Sequence, residues 1–102
     1  MAMKEPVDLK SVFLELAKKW RLETAAYSSA EMIAMHPSYQ QIIGMGPDAL
    51  PLILNELSRE PGQWFWALSV ITRENPVKPE DAGDITRMTE AWLQLGHERG
   101  WI

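Results

Sequence analysis

Apolar residues recur at helical spacing along most of the chain. Leu9, Val12, Phe13, Leu16 and Trp20 share one helical face, while Glu15 and Lys19 form an i,i+4 pair on another. Asp8 stands where an N-cap belongs, so the pattern predicts a first helix over 9–23. Ser28 and Glu31 have capping-box spacing, which predicts a short second helix from Ser29 or Ala30. Pro37 ends or kinks that helix and opens another turn through Tyr39, Ile42 and Ile43, with Gly44 as its C′ residue. In Gly46-Pro47-Asp48-Ala49-Leu50-Pro51, Asp48 as N-cap puts Pro51 at N3, where no intrahelical donor is lost. Leu50, Ile53, Leu54 and Leu57 then share one face, and Pro61-Gly62 closes the helix.

The segment from Gln63 to Thr72 has a strand-like composition of aromatic and β-branched residues, but no other segment supplies a partner strand. Trp64, Ala67, Leu68 and Ile71 also line one helical face, so this too reads as a helix. Asn75 to Pro79 is a loop by its prolines. Asp84 caps a last helix through Ile85, Met88, Trp92 and Leu95, with Gly100 at C′ and Trp101 folding back as in a Schellman turn. The expected fold is all-α: a compact single-domain bundle over 1–102 with four main helices and one or two short ones. Short loops make sequential helices expected antiparallel neighbours.

Composition narrows the function classes. The 102 residues include no Cys, which excludes disulfides, thiol nucleophiles and iron–sulfur clusters. Met1 to Glu5 lead into no apolar signal core, and no run approaches the ~18 apolar residues of a membrane span. The net charge of −4 is unevenly laid out. Residues 1–22 carry five basic and three acidic side chains, whereas the rest carry five basic and eleven acidic ones. So small a basic cluster is a poor footprint for nucleic acid, and Lys18, Lys19 and Arg21 read as a solvated helix end. Residues 24–55 hold only Glu31 and Asp48 as charges, the mark of core or interface.

Two resemblances accompany these patterns. Gly46-Pro47-x-Ala49-x-Pro51-x-x-Leu54-x-x-Leu57, the Pro61-Gly62 break and Ala67-Leu68-x-x-Ile71 resemble one HEAT-like helical hairpin over 46–72, of which there is no second copy. That resemblance implies a helix pair offering a surface to partners. His36 to Gly46, Trp64 to Leu68 and Ala91-Trp92-Leu93 resemble a family of short bacterial proteins without an assigned activity, which implies a bacterial cytoplasmic origin and transfers no catalytic residue.

No constellation for chemistry assembles. His36 reads as a helix-opening residue with its ring on a backbone group, and His97 as a cation-compatible residue in the last turn. His97 and Glu90 share a face, yet two distant His with scattered carboxylates lack the spacing of a metal site. Ser28, Ser29 and Ser69 have no nucleophile elbow around them. Glu80, Asp81 and Asp84 read as a solvated helix N-terminus, Glu56 and Glu60 beside Arg59 as an exposed charged face, and Gly44 with Gly46 lack the Lys of a phosphate loop. No catalytic residue, cofactor or metal is therefore expected, and the chain reads as a non-enzyme.

Five Trp are the compositional anomaly. With Trp64 inward, Phe65 lies about 100° and Trp66 about 200° round the helix. Trp66 and Val70 then form a second apolar strip. Either the last helix covers it with Trp92 or Met88, or Phe65, Trp66 and Val70 are exposed anchors for a protein partner. Met32, Met35 and Met45 are candidates to extend such a patch, because Met adapts to a partner's shape. The leading expectation is a small protein-interaction module, homomeric or heteromeric, in one form a regulatory or antitoxin-like partner. The alternative is a small-molecule-binding domain or enzyme whose pocket is lined by Trp64, Trp66 and Trp92, with His36 or His97 at its mouth.

Overall fold

The computed structural model describes residues 8–102; the reading of Met1 to Glu5 lies outside them. Six helices and no strand occur in this span: α1 (Leu9–Thr24), α2 (Ala30–Ala34), α3 (Pro37–Gly44), α4 (Leu50–Arg59), α5 (Phe65–Thr72) and α6 (Ile85–Glu98), with 3-10 turns at Gly46–Ala49 and Pro79–Asp81. The all-α expectation holds. No helix among the described residues is long and apolar enough to cross a membrane.

Caps explain most boundaries. Asp8 accepts from the Lys10 amide and opens α1, and Asp84 accepts from the Arg87 amide and opens α6. At α2 the cap is Ser29, not Ser28; it accepts from the Met32 amide, and Glu31 falls one position short of a reciprocal box. His36 opens α3 with its Nδ1 accepting from the Ser38 amide, while Pro37 occupies N1. Gly44 is the last residue of α3, not its C′ residue. The left-handed position belongs to Gly46, at φ 71°, which follows the Met45 cap as the C′ residue, where glycine adopts that conformation cheaply. Asp48 does not cap α4. It lies inside the 3-10 turn that winds directly into the helix, with Ala49 as N-cap and Pro51 in the first turn. At the C-terminal end of α6, Gly100 donates to the His97 carbonyl and Trp101 to the Gly96 carbonyl, the paired bonds of a Schellman turn.

The most extensive packing joins α1 to α3, α4 to α6 and α3 to α5. Elements two apart thus make the main contacts, where short loops suggested sequential neighbours. α4 and α5 touch, but each packs more extensively against a non-sequential helix. The inward stripe of α4 is Leu50, Ile53, Leu54 and Leu57, as its periodicity indicates. On α6 the buried line is Thr89, Trp92 and Gly96, with Ile85 exposed at 42%. Gly96 permits this approach: a Cβ there would lie 2.7 Å from Leu54 Cδ1 and 3.2 Å from Ile102 Cγ1.

An aromatic cluster ties α1, α3 and α5 together. Trp64 is wholly buried, with ring centroids 4.7 Å from Trp20, 5.6 Å from Phe13 and 5.8 Å from Tyr39. Trp20 Nε1 donates to the Ile33 carbonyl at 2.9 Å, which attaches α2. The Tyr39 hydroxyl donates to the Gln63 carbonyl at 2.7 Å and accepts from the Ala67 amide at 2.9 Å. No side chain of its own segment caps α5, so Tyr39 supplies the missing partner from α3. Burial pushes its phenol well above the ordinary value, keeping the proton that this donation needs.

Tyr39→Phe should therefore orphan the buried Ala67 amide and free the part-buried Gln63 carbonyl, and cost about 1–3 kcal/mol, readable as a lower urea midpoint at unchanged m-value. Gly96→Ala should cost about 1–3 kcal/mol by overpacking against fully buried Leu54, measured the same way.

Candidate functional site

Because α3 holds the inner face of α5, Trp66 and Val70 are left on its outer side, 41% and 47% exposed. α6 does not close over them, since it packs on α4. Between α5 and the start of α6 lies an open groove of about 590 Å³. One wall is Phe65, Trp66, Ser69 and Val70; Met88 and Trp92 come from α6. The third wall is the strap between the helices, through Asn75, Val77, Lys78, Pro79 and Ala82, and Gln63 stands at the α5 end. Trp92 is almost wholly buried and forms floor, so the accessible aromatic surface is mainly Trp66. Trp92 and Met88 of the last helix face the strip but leave it open.

The strap is held at each step. Arg73 ends α5 in the left-handed conformation, at φ 58°. Thr72 Oγ1 accepts from the Glu74 amide, and Asn75 Oδ1 from the Val77 amide. Pro79 confines Lys78 to extended backbone, at φ −69° and ψ 147°, and the Lys78 carbonyl accepts from Asp81. Met88 Sδ accepts from the Gly83 amide at 3.3 Å. Arg99, just past α6, makes a two-pronged pair with Glu74, with Nη1 to Oε2 at 2.7 Å. The hydrogen bonds from Arg99 hold the Glu74 carboxyl below its ordinary value.

The other candidates lie elsewhere. Trp64 is core and does not line the groove, and neither His36 nor His97 does. His36 is engaged on both ring nitrogens, with Nε2 2.8 Å from Glu23 Oε1. Met32 and Met35 are exposed on and just after α2, whereas Met45 packs against the core; none of the three lines the groove. Glu56 and Glu60 are not a uniformly exposed face. Glu56 is buried, paired with Arg21 at 2.9 Å and Arg59 at 3.3 Å, and Arg21 also reaches Glu60 at 3.2 Å. This pairing links α1 to α4, a long-range relation that spacing within one helix does not reveal. No group of three or more potential metal ligands occurs among the described residues.

The polar features of the groove are few. Lys78 is the one charged side chain in its lining, and no ion pair among the described residues involves it. The prolines mark Asn75 to Pro79 as a loop, but nothing in the sequence assigns Lys78 or this loop to the wall of a groove. No family model, curated protein or solved structure matches the chain.

Since Glu74 has a lowered folded-state pKa, its pair with Arg99 contributes stability above the ordinary carboxyl range and loses it as pH falls through the folded value. Glu74→Gln should flatten the acid side of the Tm-versus-pH curve below about pH 4.5. A thermal series from pH 7 to the acid limb, about pH 2.5, checks this, and identical curves for both proteins would contradict it.

Proposed function

We propose that this chain is a small non-enzymatic protein-interaction module that engages its partner through the groove, with Trp66 and Val70 as the central contacts and Phe65 supporting them. The observation that carries this reading is the exposure of Trp66 beside Val70, in a fold whose Trp64 and Trp92 are buried. Partly exposed Trp in a depression is where interface energy concentrates. The pre-ordered strap supports the reading, since an ordered wall lowers the entropic cost of association. The chemistry of the lining supports it as well. General acid–base catalysis needs a positioned proton donor or acceptor of suitable pKa, and this lining holds one Lys with no His or carboxylate.

Met32 and Met35 form a separate exposed apolar site on the α2 side, secondary to the groove in this reading. The HEAT-like hairpin resemblance over 46–72 agrees with a surface offered to a partner. The bacterial resemblance supports a bacterial cytoplasmic setting for the module, and a regulatory or antitoxin-like role for a protein encoded nearby is the specific form proposed. The partner is a second copy or a different protein, and light scattering across micromolar concentrations separates the two.

Affinity capture from the source cells with wild type and with Trp66→Ala tests the module. Loss of about 2 kcal/mol, or roughly thirtyfold weaker retention of the bound protein, is expected. Equal retention by a Trp66→Ala protein of unchanged Tm would overturn the assignment.

A further inference from the structure

We infer that the groove selects an acidic amphipathic segment of its partner, a short stretch in which a large apolar side chain stands beside a carboxylate. This rests on the module reading above and names the chemistry of the partner at the same site. Trp66 and Val70 offer the apolar surface that such a side chain covers. Lys78 is the only charged residue of the lining, and no ion pair among the described residues occupies it. A carboxylate beside a seated apolar group therefore meets a cation, and a basic group meets like charge. The backbone that carries the cation is also ordered. Pro79 holds the Lys78 backbone extended, the Asp81 amide is bonded to its carbonyl, and the Asn75 and Glu74 contacts fix the strap on the upstream side.

Depth decides between a peptide and a small acid. A small-molecule pocket encloses most of its ligand's surface. Here Trp66 and Val70 remain 41% and 47% exposed on an open trough, which suits a segment carried on a larger partner. Glu80 and Asp81 follow Lys78 in the chain but do not line the groove.

Two labelled synthetic peptides test the inference on the full chain by fluorescence anisotropy. They share one Leu- and Trp-containing apolar core and differ only in flanking Glu or flanking Lys. The acidic peptide should bind the wild type roughly threefold to tenfold tighter than the basic one, a preference that shrinks as salt is raised. Lys78→Gln should erase the preference and Lys78→Glu reverse it, both with wild-type Tm because Lys78 is exposed. Equal binding of both peptides, still lost in Trp66→Ala, would overturn the acidic selectivity while leaving the module reading in place. A preference that survives in Lys78→Gln would also overturn it, as would no saturable binding of either peptide. Indole-3-propionate binding as tightly as the acidic peptide would replace the partner segment with a small acid. Failure of the module itself is read separately, from partner capture with Trp66→Ala.

Discussion

The Tyr39 hydroxyl bridges two backbone groups at the start of α5, and the position of that helix depends on it. A helix begins with amides that have no intrahelical partner, and one buried at its start must find partners elsewhere. The residues before α5 are Pro61, Gly62, Gln63 and Trp64, and none of their side chains caps it. Tyr39 serves the Ala67 amide from another helix, and its ring lies nearly parallel to Trp64. One residue thus joins a polar requirement to an apolar one. The desolvation that raises its phenol pKa also keeps it in the protonated form the bridge uses.

The groove follows from this placement. Once α3 and the aromatic cluster occupy the inner side of α5, its remaining apolar residues face outward. α6 is drawn to α4 instead, because Gly96 lets the two helices approach at Leu54. The connection between α5 and α6 must then span the gap. It does so as a strap stiffened by prolines, side-chain-to-backbone bonds and the Glu74–Arg99 pair. An apolar surface with an ordered rim results without any element being dedicated to making it.

The surface charge is also organised by tertiary contacts. Arg21 leaves α1 to meet Glu56 and Glu60, lies within 6.0 Å of the Trp64 ring, and so closes one side of the aromatic cluster. Burying Glu56 is tolerable because two guanidinium groups neutralise it. Lys78, at the other end of the molecule's logic, has no such partner among the described residues, and that contrast gives the groove its chemical character.

Helix existence, the proline and glycine breaks, the Asp8 and Asp84 caps and the inward stripe of α4 were all legible in the residues. Each depends on interactions within a turn or two, which spacing records directly. Ser29 replacing Ser28 and Gly46 replacing Gly44 show the limit of that reading, since neighbouring residues of equal local merit are separated by their surroundings. The candidate site was half legible: helical advance isolated Phe65, Trp66 and Val70, but not whether α6 would cover them. That was decided by packing between distant segments, as were the capping by Tyr39, the burial of Glu56 and the place of Lys78 on the rim. Periodicity belongs to a single helix, whereas the choice of which helix fills which face is set by burial and close approach summed over the whole fold.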